Sequence, residues 1–159
     1  MYTMGGSERR AADVDAGAST RPPPSLPSRP TMKFEHFALN VPDPRAQAQW
    51  YAQHLGFAVV RSRADAPFTH FLADDTGRTI VEFYVNPSVA LPDYAAMPPL
   101  NFHLAVVAAD ARAERVRLER AGATLVREEP QPDGSVLIMM RDPWHVPLQL
   151  CQRTTPMPA

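Results

Sequence analysis

The sequence predicts an α+β fold of two tandem β-α-β-β-β modules, and three observations lead to it. The second half repeats the first at an offset of about 67 residues (103 − 36, 149 − 82). His36 thus falls on His103 and Glu82 on Gln149; Asp43-Pro44-Arg45-Ala46 matches Asp110-Ala111-Arg112-Ala113, and Leu72-Ala73-Asp74-Asp75 runs parallel to Met139-Met140-Arg141-Asp142. Each repeat opens with an apolar run that alternates with the strand period of two. Each then carries an aspartate before a helical stretch that a glycine closes, Gly56 or Gly122.

In the first module, Phe34 to Val41 alternates as a strand does. Phe37, Leu39 and Val41 take one face; His36, Ala38 and Asn40 take the other. Pro42 ends it. Asp43 reads as an N-cap with Pro44 at the first helical position. The helix is expected to run to Leu55, with Ala46, Trp50 and Tyr51 turned inward. Phe57 to Arg61, Phe68 to Ala73 and Arg78 to Val85 read as three further strands, the last two joined by a tight turn at Asp74-Asp75-Thr76-Gly77.

The second module repeats that order. Leu100 to Val107 is a strand with Phe102, Leu104 and Val106 on one face and Asn101, His103 and Ala105 on the other. Asp110 caps a helix ending near Ala121-Gly122, with Ala113, Val116 and Ala121 expected inward and Arg112, Glu114, Arg115, Arg117, Glu119 and Arg120 solvated. Thr124 to Glu128, Ser135 to Arg141 and Val146 to Gln152 complete the strands, with Pro132-Asp133-Gly134 as a hairpin turn. The connection from Asn86 to Pro99 carries four prolines, Tyr94 and Met97. Its length suits a segment that covers a pocket and equally a crossover strap between modules.

Composition narrows the class. A chain of 159 residues is one domain with room for a real core. The net charge of −1 gives no electrostatic reason to expect nucleic acid or an anionic membrane as partner. The single cysteine, Cys151, excludes an intrachain disulfide and fits a reducing, cytoplasmic location. No apolar run is long enough for a membrane span, and the N-terminus lacks the apolar core of a secretory signal. Residues 1–31 are poor in aliphatic side chains and rich in proline, and are expected to form a disordered tail with polyproline character near its end. A proline-motif ligand and a chain that starts at Met32 are the alternatives. Residues 154–159 are expected to be flexible.

The ordered fragments Phe34-Glu35-His36-Phe37-Ala38-Leu39-Asn40-Val41, Trp50-Tyr51 before Leu55-Gly56-Phe57, Val81-Glu82-Phe83-Tyr84, Asn101-Phe102-His103-Leu104-Ala105-Val106, and Arg141-Asp142-Pro143-Trp144 leading to Leu148-Gln149-Leu150 resemble the vicinal oxygen chelate superfamily. That group includes glyoxalase I, extradiol dioxygenases, fosfomycin resistance enzymes and bleomycin-binding proteins. The resemblance covers residues 32–153, with modules at 32–85 and 100–153. It implies a curved eight-stranded mixed sheet around a pocket, helices outside, and commonly a homodimer. The superfold hosts many chemistries, so activity is argued from the site.

In the superfamily, metal ligands come from the first and last strands of each module. Carried over, those positions are His36, Glu82, His103 and Gln149. Two imidazoles, one carboxylate and an amide oxygen form a mixed N/O set, suited to a divalent Zn, Ni, Co, Mn or Fe ion. The resemblance thus implies a metal-dependent lyase or isomerase of glyoxalase type acting on a small oxygenated substrate. Most catalytic members carry Glu where this chain has Gln149. An amide cannot take a proton at neutral pH, so Glu82 is left as both ligand and catalytic base. Phe71, Tyr84, Met139, Trp144 and Cys151 are the expected substrate-binding walls. His145 replaces a turn glycine, which predicts a strained or reshaped turn and leaves it a candidate acid or base at the pocket edge. His54 is expected to face the helix C-terminal dipole, and His70 either pocket or solvent. The alternative to the enzyme is a metal-free small-molecule binding protein of the bleomycin-resistance type.

Overall fold

The computed structural model describes residues 32–157; the expected N-terminal tail lies outside them. Ten elements follow in order: β1 (Phe37–Asn40), α1 (Pro44–Leu55), β2 (Ala58–Ser62), β3 (His70–Ala73), β4 (Thr79–Tyr84), β5 (Leu104–Val107), α2 (Ala111–Arg120), β6 (Thr124–Pro130), β7 (Val136–Arg141) and β8 (Pro147–Gln152). The chain is α+β, and β-α-β-β-β occurs twice. The strands form two four-stranded mixed sheets, ordered β1-β4-β3-β2 and β5-β8-β7-β6. In each, the opening strand pairs parallel with the last and the other pairs are antiparallel. The two sheets are not closed into a barrel. Phe37 and Phe102 stack with ring centroids 5.2 Å apart, joining the segments that open the two modules.

Local chemistry explains the elements. The Asp43 carboxylate accepts from the Ala46 amide over 2.9 Å, and Pro44 needs no amide partner in the first turn. Asp110 accepts from the Arg112 and Ala113 amides over 3.1 and 2.9 Å. Gly56 ends α1 at φ 75°, a conformation glycine adopts without steric cost.

The core lies between each sheet and its helix. Leu39, Leu72, Val81 and Phe83 of the first sheet meet Ala48 and Tyr51 of α1; Ile138, Met140, Leu148 and Leu150 of the second lie in the same buried cluster as Ala111 and Leu118 of α2. Two details differ from the sequence expectation. On α1 the buried set is Pro44, Gln47, Ala48, Trp50 and Tyr51, with Ala46 only half-buried. On α2, Ala113 and Val116 are exposed while Ala111 and Leu118 are buried. The inward stripe of α2 is therefore 111, 115 and 118. Arg115 is half-buried there, its guanidinium 4.0 Å from Glu119 and 3.8 Å from Glu128, with Nε left without a hydrogen-bond partner among the described residues.

Helix α1 also clasps the second module. Trp50 Nε1 donates to the Ala121 carbonyl over 2.8 Å, and Arg117 donates to the His54 carbonyl over 2.6 Å. Gln47 Nε2 and the Tyr51 hydroxyl donate to Asp142 Oδ2 over 2.6 and 3.1 Å. These contacts to Asp142 fix the turn between β7 and β8 against the first helix.

Candidate active site on the helix-free sheet faces

Side chains alternate along a strand, so one face of each sheet packs under a helix and the other is left open. The strand register sets what the open face presents. In the first sheet Ala38, Glu82, Phe71 and Arg61 lie side by side across β1, β4, β3 and β2. In the second, Ala105, Gln149, Met139 and Arg127 lie side by side across β5, β8, β7 and β6. Both rows carry a register shift at the same point, between Val59 and Arg61 and between Leu125 and Arg127. The duplication thus holds to the level of a single cross-strand row.

His36 lies one residue before β1, on the face of Ala38. Its Nε2 is 3.1 Å from Glu82 Oε2, and its Nδ1 lies against the Glu35 carboxylate. Phe71 meets its ring edge-on at a centroid distance of 5.2 Å. His103 lies one residue before β5, and its Nδ1 is 3.1 Å from the Pro99 carbonyl. A carbonyl can only accept, so Nδ1 carries a proton, and in the neutral ring Nε2 is the atom with the lone pair. Gln149 Oε1 accepts from the Cys151 thiol over 3.4 Å. The structure therefore brings His36, Glu82 and Phe71 together. It also brings Gln149 beside Met139 and Cys151. Among the described residues no three His, Cys, Asp or Glu side chains converge on one point, so His103 does not join His36 and Glu82 in a cluster of three.

Three cavities surround these residues. One of 230 Å³ is lined by Arg61, Ser62, Arg63, Thr69, Phe71 and Glu82. One of 240 Å³ is lined by Pro98, Pro99, Leu100, Val126, Arg127 and Met139. One of 340 Å³ includes Ala38, Asn40, Tyr84, Tyr94, Met97 and Phe102 in its wall. The long connection contributes Val89, Ala90, Pro92, Tyr94 and Met97 to this last cavity, so the strap between modules is also a pocket wall. It is pinned at its start, where the Asn86 amide donates to Asn40 Oδ1 over 2.9 Å, and in its second half, where Tyr94 donates its hydroxyl to the Asn40 carbonyl over 3.0 Å and Arg141 donates to the Tyr94 and Met97 carbonyls.

The remaining candidates are distributed as follows. Phe71, Tyr84 and Met139 each line a cavity. Trp144 is half-buried against the core, and its amide donates to Asp142 Oδ1 over 2.9 Å. Cys151 is buried, and burial pushes its thiol up, away from the reactive thiolate. His54 occupies the last turn of α1, 5.2 Å from the Trp50 ring. His70 is buried on the helix side, in register with Phe83, its Nδ1 2.7 Å from the Phe68 carbonyl. His145 is exposed at φ 67°, so the turn keeps the left-handed shape a glycine would supply. The arginines Arg61 and Arg127 were not among the sequence candidates. Their spacing of 66 residues (127 − 61) is the repeat offset less one, and that was the available signal.

Of the four expected ligands, His36 and Glu82 are the pair spaced to share a divalent ion. Ligand bonds of about 2.0–2.2 Å put neighbouring donors roughly 2.8–3.6 Å apart, from octahedral to tetrahedral geometry. The 3.1 Å between His36 Nε2 and Glu82 Oε2 spans such an edge, and equally a hydrogen bond. The tautomer of His103 leaves Nε2 free to ligate.

The glyoxalase-like domain family matches residues 36–151, from the first histidine to the buried cysteine. The chain belongs to this family. No curated protein sequence matches it. Among solved structures, the glyoxalase-like fold is shared with a glyoxalase-related enzyme from Fulvimarina pelagi, at 18% identity and TM-score 0.61 over 81% of this chain and 94% of that one. A lactoylglutathione lyase from Agrobacterium tumefaciens is similar at 17% identity and TM-score 0.56, over 77% and 95%. A glyoxalase I mutant from Zea mays is similar at 22% identity and TM-score 0.60, over 76% of this chain and 44% of that longer one. At these identities the likeness establishes the fold. No helix among the described residues is long and apolar enough to cross a membrane.

Proposed function

We propose that this glyoxalase-like chain is a divalent-metal-dependent lyase or isomerase acting on a small oxygenated substrate. The observation that carries this is the 3.1 Å pairing of His36 Nε2 with Glu82 Oε2 on the open sheet face. His36 and Glu82 would hold the ion from the first module, with His103 Nε2 and Gln149 Oε1 supplying the second. When bound, the ion supplies Lewis-acid polarisation of substrate oxygens. Glu82 would take the proton from the carbon bearing a substrate hydroxyl and return it to the neighbouring carbonyl carbon, while the hydroxyl proton passes to the former carbonyl oxygen. Phe71 and Tyr84 exclude water from one side, and Met139 from the other. Gln149 can orient a substrate oxygen through its amide but cannot share the proton transfer. A reducing cytoplasmic setting and a homodimer belong to the same proposal.

The test is metal analysis of protein purified without chelator, followed by thermal melts with Ni, Zn, Mn and Co. Near-stoichiometric metal and a raised Tm in the parent protein are expected, both lost in His36→Ala and Glu82→Ala. Identical metal content and melting in all three proteins would overturn the proposal.

A second reading is a metal-free small-molecule binding protein of the bleomycin-resistance type. It is favoured by the separation of His103 from the His36–Glu82 pair. It predicts that ligand binding survives both substitutions.

A further inference from the structure

Resting on the reading that substrate oxygens meet His36 and Glu82, we infer that the substrate is an organic anion with an apolar body, and that Arg61 holds its anionic group. Arg61 stands in the same cross-strand row as Glu82, with Phe71 between them, and all three line the 230 Å³ cavity. Two inter-strand steps separate the backbones of residues 61 and 82, about 10 Å. That is the span of a small carboxylate plus an arginine side chain reaching back toward the middle of the row.

The two arginines of this cavity are not equivalent. Arg63 is engaged by Asp65, whose carboxylate accepts from its Nε over 3.3 Å and from its terminal nitrogen over 2.7 Å. Among the described residues no carboxylate lies within 4.0 Å of the Arg61 guanidinium. It therefore presents a planar fork of N–H donors whose natural complement is a carboxylate or phosphate. Ser62 and Thr69 add hydroxyls to the same wall. The anion must sit at the Arg61 end, because the Glu82 carboxylate at the other end repels it.

The second module shows what the same row becomes without this task. Its arginine, Arg127, is paired with Glu129. The carboxylate of the row is replaced by the Gln149 amide, and the adjoining cavity is walled by Pro98, Pro99, Leu100, Val126 and Met139 beside Arg127. The first cavity thus sets a guanidinium with no carboxylate partner among the described residues beside the Phe71 ring, which matches a ligand with a charged end and a hydrophobic body.

Calorimetric titration with mandelate and with 1-phenyl-1,2-ethanediol tests the inference. Both carry a phenyl ring and vicinal oxygens, and only mandelate is charged. The parent protein should bind mandelate about tenfold tighter than the diol. Arg61→Gln should abolish that preference, while Arg120→Gln on exposed α2, which changes net charge equally, should preserve it. Phenyl phosphate, run alongside, tells a phosphate ester from a carboxylate as the favoured anion at Arg61. Equal binding of mandelate and diol, a preference that survives Arg61→Gln, or no saturable binding of any of the three up to about 10 mM would overturn the inference. Repeating the titrations in His36→Ala separates it from the metal proposal. Anion preference that persists there while metal stabilisation proves absent sinks the metal reading alone. Metal stabilisation that depends on His36, with no dependence of anion binding on Arg61, sinks this inference alone.

Discussion

Gln47 on α1 donates to the Asp142 carboxylate over 2.6 Å, although ninety-five residues separate the two. Tyr51 adds a second donor over 3.1 Å, and the amides of Trp144 and Val146 each add one over 2.9 Å. Burial is the largest influence on this carboxyl and pushes it up to about 6, with those hydrogen bonds acting in the opposite direction. The pH dependence follows from the sign. The folded chain holds a proton between about pH 4 and 6 that the unfolded chain releases. This contribution to stability is present in full below the unfolded value and is lost as pH rises through 6. Denaturation of the parent protein should therefore show stability rising from pH 7 toward pH 5 relative to Asp142→Asn, by up to about 3 kcal/mol toward pH 4. Parallel curves for the two proteins would contradict it.

Tyr51→Phe tests the same cluster from the other side. The hydroxyl is fully buried, and removing it takes one donor from a buried carboxylate without changing the shape of the ring. A loss of about 1.5–3 kcal/mol is expected in urea melts at pH 7. A smaller loss is expected near pH 4, where the carboxyl is neutral and the bond is no longer charge-assisted. An equal loss at both pH values would show that the hydroxyl's bond gains nothing from the charge on Asp142.

His145 holds φ at 67° on an exposed turn, where a side chain gains nothing from burial. The left-handed region costs a non-glycine residue roughly 1–2 kcal/mol, part of which glycine returns as flexibility of the unfolded chain. His145→Gly should therefore stabilise by about 1 kcal/mol, read as a higher urea midpoint at unchanged slope. A lower midpoint would mean that the imidazole makes a compensating contact.

Arg141 ties the strap to the second module. Its guanidinium donates to the carbonyls of Tyr94 over 2.5 Å, Met97 over 2.7 Å and His145 over 3.0 Å. Arg141→Met keeps most of the stem and removes every donor. Hydrogen exchange should then accelerate across residues 92–101, with the β3–β4 ladder unchanged. Unaltered protection in the strap would mean that the bonds of Tyr94 and Asn86 to Asn40 and of His103 to the Pro99 carbonyl suffice to hold it.

What could be read from the sequence was what is local or repeated. Asp43 and Asp110 cap their helices as their spacing implied, and Gly77 and Gly134 take the left-handed conformation at the two expected turns. The unread part is long-range. Gln47 looks like a surface residue until Asp142 arrives from the other module. Val116 looks like core because α2 is short of aliphatics, yet the helix buries Leu118 and half-buries Arg115 instead. Arg61 and Arg127 enter their rows only through the register shifts in β2 and β6, which periodicity does not encode. The distance from His103 to Glu82 depends on how two sheets without a shared ladder sit against each other, and no sequence pattern specifies that.

Gln149 decides the chemistry proposed for the site, and a one-atom change addresses it. It stands opposite Ala105 on β5 and Met139 on β7, and its Oε1 accepts from Cys151. Glutamate fits the same space and adds a second carboxylate to the donor set. A divalent ion with His36, Glu82 and His103 then carries no net charge in place of one positive charge. Retention of metal against a competing chelator should tighten on the order of tenfold, because ligand charge count sets affinity for hard divalent ions. The new carboxylate is half-buried and loses solvation, so a small loss of stability without metal is expected alongside, reversed when metal is added. Unchanged chelator competition in Gln149→Glu, with His36→Ala still sensitive, would mean that the second module turns residue 149 away from the ion and that His36 and Glu82 hold it from one side only.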